Sequence, residues 1–130
     1  MELIIENSAS HYPHILGLIK SGLGSADQPT RNAYNGFGSG GEVQQALPLT
    51  IHLIAKYENN FSKAITENIM LGGDSAARGM LIGMIVGAQT GMDGIPLGWF
   101  EGLRRHEEMV GYINQTLHNH YYDYTVHESY

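Results

Sequence analysis

The sequence predicts an all-α fold, a small bundle of helices, and three observations carry that reading. Every apolar pattern long enough to judge repeats at i, i+3, i+4, the spacing of one helical face. No segment alternates apolar and polar residues with the period of two that marks a half-buried strand. Glycine, proline and asparagine gather between the periodic stretches, where they start and stop helices.

The first helix is expected over about residues 8–20, carrying Ile15, Leu16, Leu18 and Ile19. Pro13 is tolerated in its first turn, where a missing N–H leaves no helical bond unmade. From Ser21 to Gly41 the chain is rich in Gly, Asn and Ser and contains Pro29, which predicts a long loop. A structureless loop of that length inside a compact domain is usually functional, or marks a missing partner segment. Val43, Ala46, Leu47, Thr50, Ile51, Leu53 and Ile54 predict a helix from Glu42 to Tyr57, in which Pro48 removes one backbone bond.

Asn60 is placed to cap the next helix, whose apolar face is Phe61, Ala64, Ile65 and Ile69, with Asn68 among them. That helix ends at Gly72-Gly73, and Asp74 caps the one that follows, because its side chain accepts bonds from first-turn amides. Glycines then fall at 79, 83, 87 and 91, one stripe along one face. Each costs about 1 kcal/mol relative to alanine in a helix, so the stripe predicts close approach of a neighbouring backbone. A bilayer-crossing Gly-xxx-Gly helix is the competing reading. Asp74 and Arg78 on one side and Gln89, Thr90 and Asp93 on the other leave fewer than the roughly 20 apolar residues a crossing needs.

Pro96 suits the first position of a short helix with Trp99, Phe100 and Leu103 on its apolar face. A last helix is expected from about Glu107 to Leu117, with Val110, Ile113 and Leu117 aligned. One helical domain over residues 1–117 followed by a polar, aromatic tail over 118–130 is the expected organisation. The tail's His118-Asn119-His120 and His127 read as an exposed terminus, and His11 and His14 are scattered. His52, inside an apolar helix, reads as a hydrogen-bonded histidine.

Composition bounds the function. The chain has 130 residues, 42% of them hydrophobic, which suffices for one modest core. Its net charge is −6 with only 7 Lys and Arg, which argues against binding a nucleic-acid backbone. There is no cysteine, hence no disulfide and no thiolate metal site. The start, Met1-Glu2-Leu3-Ile4-Ile5-Glu6, lacks the basic start and long apolar run of a signal peptide, so the cytoplasm is the expected location.

Two motifs carry candidate chemistry. In Gly72-Gly73-Asp74-Ser75-Ala76-Ala77-Arg78, Asp74 is either an ordinary helix cap or a metal ligand. Arg78, one turn on, is either its structural partner at i, i+4 or a fixed cation that holds an anion. In Gly36-Phe37-Gly38-Ser39-Gly40-Gly41, the residues Gly38, Ser39, Gly40 and Gly41 precede a helix and either form a plain loop or offer amides and a helix N-terminus to a phosphate. That run is neither a dinucleotide fingerprint nor a P-loop, because no strand precedes it and no Lys-Ser/Thr follows. Ser75 has no histidine at readable spacing to activate it.

The stretch from Ile65 to Leu103, ITENIMLGGDSAARGMLIGMIVGAQTGMDGIPLGWFEGL, resembles the C-terminal part of the ADP-ribosylglycohydrolase family. That family shows Gly-Gly-Asp-Thr-Asp-Thr, a helix rich in small residues, a Gly, an Ile-Pro and a Trp-led helix. Gly72, Gly73, Asp74, Gly83, Gly87, Ala88, Gly91, Ile95, Pro96 and Trp99 follow the family's order. Residues 36–65 are similar to its Gly-rich loop and the helices after it, so the resemblance covers roughly residues 34–103.

The resemblance implies a hydrolase that releases ADP-ribose from modified side chains, using a pair of magnesium ions. It also implies that Asp74 is the first acid of the metal motif. Ala76 stands where the family has its second acid and Ala77 where it has a liganding threonine, and a methyl group offers a hard cation nothing. Magnesium is therefore doubtful here. The family's Thr-Asp-Asp cluster and its catalytic residue have no counterpart in this sequence, which suggests a C-terminal portion or a shortened homologue. Two classes stay in contention: an ADP-ribosylglycohydrolase-like chain, inactive alone, and a non-catalytic helical protein that binds ADP-ribose or serves as an interaction piece. The expected partners are ADP-ribose or an ADP-ribosylated protein, with self-association or a missing half in trans, and neither nucleic acid nor membrane.

Overall fold

Seven α-helices and one 3₁₀ turn make up the regular structure among the described residues, with no strand. The computed structural model describes residues 12–126, and the side chains of residues 12–116. The expected all-α class is what forms. The readings placed on His11 and His127, and on the side chains of His118 and His120, lie outside the described residues. Among those residues no helix is long and apolar enough to cross a membrane.

Helix α1, Pro13–Gly24, begins with proline in its first turn. The long loop expected between Ser21 and Gly41 is corrected. Helix α1 runs on to Gly24, and Thr30–Phe37 forms a second helix, α2, entered directly after Pro29. Asn32, Asn35 and Gly36 are weak helix formers, and propensity alone argues against α2. Burial decides otherwise, since Ala33 lies in the core and Tyr34 and Phe37 pack against it.

Helix α3, Val43–Lys56, is central and packs against α1, α2 and the two helices that follow it. Its Leu49, Leu53 and Ile54 form the middle of the core, and Pro48 sits buried within it. Asn60 caps α4, Phe61–Leu71, through a bond of 3.0 Å from the Lys63 amide to its side-chain oxygen. Helix α5, Ser75–Thr90, buries the row Arg78, Ile82 and Val86.

The glycine stripe of α5 does not do what its spacing predicts. A Cβ on Gly83 would meet nothing within 4 Å. Gly79 and Gly87 face side chains of α4, with Asn68 Nδ2 at 3.1 Å and the Phe61 ring at 3.5 Å from such a Cβ. The close helix approach lies instead at Gly22, where a Cβ would stand 2.5 Å from the Pro48 carbonyl oxygen and 2.7 Å from Ile51 Cβ. Gly22→Ala is expected to destabilise the fold by about 2 kcal/mol through overpacking. Gly83→Ala should raise stability by up to about 1 kcal/mol through helix propensity. Paired urea titrations compare the two; equal effects would mean that α1 and α3 do not meet at Gly22.

The contacts divide the chain after Ile95 into two compact units. The second unit, taken by itself, begins with α6, Leu97–Glu101, for which Pro96 is the residue before the first turn and not within it. Phe100 and His106 meet edge to face at 5.8 Å between ring centroids. Helix α7 spans His106–Val126 and so continues past the boundary expected at Leu117. Arg105 and Glu108 pair at 3.3 Å at its start.

Candidate functional site

The two motifs singled out in the sequence meet in space. The Asp74 amide donates to the Ser39 carbonyl at 3.2 Å, tying the turn before α5 to the glycine loop before α3. Gly72 and Gly73 have φ of 74° and 64°, in the left-handed region that glycine alone occupies freely. A side chain on Gly73 would run into the Ser39 carbonyl oxygen. One on Gly41 would stand 2.7 Å from Asp74 Oδ2. Gly73 is thus required where the loop and the turn press together, and Gly41 faces the Asp74 carboxylate there, which gives the pattern a physical reason.

Asp74 caps α5, its Oδ1 accepting from the Ala77 amide at 3.3 Å. Its other oxygen faces Gly41. Within the loop, the Gly40 amide donates to Gln45 Oε1 at 2.8 Å, and Gly38 takes a φ of 94°. Glu42 precedes α3 with no side-chain bond to the first turn, so that turn's amides lack a side-chain cap. Gly41 and an Asp74 carboxylate oxygen therefore lie side by side just before the start of α3, while Gly38 and Gly40 pack against the Gln45 side chain.

Arg78 is placed differently from the expected partner of Asp74. The ion pairs among the described residues are Lys63–Glu67 and Arg105–Glu108, and Arg78 is in neither. It turns inward and is 1% exposed. Its Nε donates to Asn68 Oδ1 at 2.9 Å and its Nη2 donates to the Gly72 carbonyl. Asn68 in turn donates to the Ser75 carbonyl at 2.8 Å. This clip joins α4, the glycine turn and the head of α5. Burial lowers the pKa of the guanidinium from its usual value, against the opposing pull of Asp74 and Tyr34.

The donor set around Asp74 does not fit a pair of magnesium ions. Magnesium needs several oxygen ligands in near-octahedral order. Here one carboxylate oxygen is committed to a helix cap, and Ala76 and Ala77 follow it. Among the described residues no three His, Cys, Asp or Glu side chains converge.

A second polar cluster escaped the sequence reading. Ser25 donates to the Gly22 carbonyl at 2.7 Å, so it receives the proton of His52 Nδ1 across 2.8 Å. His52 Nε2 then accepts from the Thr30 hydroxyl at 3.4 Å, and Thr30 Oγ1 accepts from the Tyr57 hydroxyl at 3.0 Å. The cluster joins α1, α2 and α3 around an imidazole that is 0% exposed.

Burial, and then the charge of Lys56, push the His52 pKa below its ordinary value. The unfolded ring has a pKa of about 6.5. The neutral ring's contribution is therefore fully present above that pH and is lost as pH falls from about 6.5 toward the folded value. Thermal midpoints taken from pH 7.5 down to 5 should fall, and His52→Gln should flatten the slope. An unchanged slope in the variant would mean that His52 titrates as freely in the fold as out of it.

The model of the ADP-ribosylglycohydrolase family matches residues 4–125. No curated protein and no solved structure matches the chain significantly.

Proposed function

The chain belongs to the ADP-ribosylglycohydrolase family, and from that premise we propose that it binds ADP-ribose, free or on a modified protein, without hydrolysing it as an isolated chain. The supporting observation is the junction of the glycine loop with the Asp74 turn. There the first amides of α3, which no side chain caps, and a carboxylate oxygen of Asp74 border the same surface. A helix N-terminus favours a phosphate, and a carboxylate accepts sugar hydroxyls; ADP-ribose offers both. Gly38, Ser39, Gly40 and Gly41 are the residues assigned to the ligand, with Asp74 receiving hydroxyl donors in place of a cation.

Arg78 acts in this reading from beneath the surface. Its charge offsets that of Asp74, which would otherwise repel a phosphate, and its bond to Gly72 fixes the turn. Magnesium has no role in binding here. One carboxylate cannot both organise two metal ions and serve as general base, so the family's hydrolysis requires acids that residues 1–130 do not supply. The test is titration with ADP-ribose, together with an assay for ADP-ribose release from modified arginine or serine in magnesium. Binding without release supports the reading; release by the isolated chain contradicts it.

A further inference from the structure

Gln45 is the third residue of α3, and its side chain turns back past the start of that helix to the glycine loop. Its Oε1 accepts from the Gly40 amide at 2.8 Å. Because an N–H donates to the oxygen of a carboxamide and not to its nitrogen, this bond also fixes where Nε2 lies. Nε2 has no hydrogen-bond partner among the described residues, and it is not closed off from solvent. A Cβ on Gly40 would stand 2.5 Å from Oε1, and one on Gly38 2.8 Å from Cδ and 3.2 Å from Nε2. The loop therefore folds round the carboxamide, which takes the space that side chains at 38 and 40 would need. Its unused N–H groups are held among the residues assigned to the ligand, at the uncapped end of α3.

The residue type points the same way. A third helical residue that reaches back to an amide ahead of the helix resembles a capping box, in which Glu serves as well as Gln. Glu would also gain from the positive end of the helix. It would add a negative charge to that of Asp74 where a phosphate has to sit. Gln accepts the same bond, carries no charge and brings two donors.

We propose that Gln45 sets the specificity of this loop: Oε1 shapes it through the Gly40 amide, and Nε2 donates to a phosphate oxygen of ADP-ribose. The assignment rests on the reading of the loop as an ADP-ribose site. It makes Gln45 a ligand contact and the glycines at 38 and 40 the means of seating its carboxamide.

Gln45→Glu separates the two roles, because a carboxylate still accepts from Gly40 but has no N–H to give. The thermal midpoint of the variant should equal or exceed that of the native chain, while its affinity for ADP-ribose falls at least about tenfold. Repulsion by the new charge would weaken binding even without contact, so a second readout on the native chain locates the donor. The side-chain amide signals of Gln45 in nuclear magnetic resonance should shift as ADP-ribose is added and saturate with the binding curve. Adenosine, which has no phosphate, should leave them in place. A lowered midpoint in Gln45→Glu, affinity unchanged in that variant, Gln45 signals that stay still at saturation, or signals that move as far with adenosine would each overturn the proposal. Failure of the native chain to bind ADP-ribose at all is a separate result, which overturns the reading of the loop and this assignment with it.

Discussion

Gly73→Ala is expected to lower the stability of the chain by about 3 kcal/mol and to abolish ADP-ribose binding. Two effects add. An L-residue in the left-handed region costs about 1–2 kcal/mol, and overpacking costs about 1–3 kcal/mol more. The obstacle is the backbone carbonyl of Ser39, which also accepts the Asp74 amide and so cannot move without releasing the turn. Gly72 is a control at the same turn, since a Cβ there meets nothing within 4 Å despite a φ of 74°. Gly72→Ala should cost only the conformational part. Chemical denaturation of both variants measures the difference, and equal losses would mean that the loop and the turn are not in contact.

Arg78→Met should cost a similar amount, about 3 kcal/mol. It leaves the buried Asn68 Oδ1 and the part-buried Gly72 carbonyl without a donor, at about 1–3 kcal/mol for a fully buried group. Removing a buried cation with an unpaired nitrogen returns part of that. Arg78→Lys should rescue little, because one ammonium on a flexible stem does not reproduce the fork that spans α4 and the turn. Full stability in Arg78→Lys would show that charge, not geometry, is what the site needs. A variant as stable as the native chain with methionine would show that the clip is dispensable.

Most of the helices were legible because their signals are local. Asn60 and Asp74 each sit one residue before the helix that follows, and both cap as their position predicts. The 3.6-residue period of α3, α4 and α5 comes from side chains that must share one face, so it is written in the sequence itself. Helix α2 was hidden because its residues favour turns and only its burial against α3 makes it helical. The reach of α7 beyond Leu117 was hidden for a related reason: the polar, aromatic residues there lack an apolar stripe to read.

The site was half legible. The two glycine motifs and Asp74 were named, but that they touch depends on tertiary packing. The direction of Arg78 was misread, because i, i+4 spacing to Asp74 says which residues are neighbours on a helix and not which way a long side chain turns. Asn68, in the apolar row of α4, was the available signal: a buried amide needs partners, and Arg78 and the Ser75 carbonyl are what it found. The stripe at Gly79, Gly83 and Gly87 misled because small residues accommodate a side chain such as Phe61 as readily as a backbone. Ser25, Thr30, His52 and Tyr57 are too far apart in sequence for spacing to join them.

Isothermal titration of the chain with ADP-ribose, once in magnesium and once in a chelator, tests most directly whether the glycine loop and the Asp74 turn form a metal-independent ligand surface. One site with the same affinity in both buffers is expected, lost in Gly73→Ala and retained in Gly83→Ala. No heat of binding in either buffer, or binding that appears only with magnesium, would contradict it.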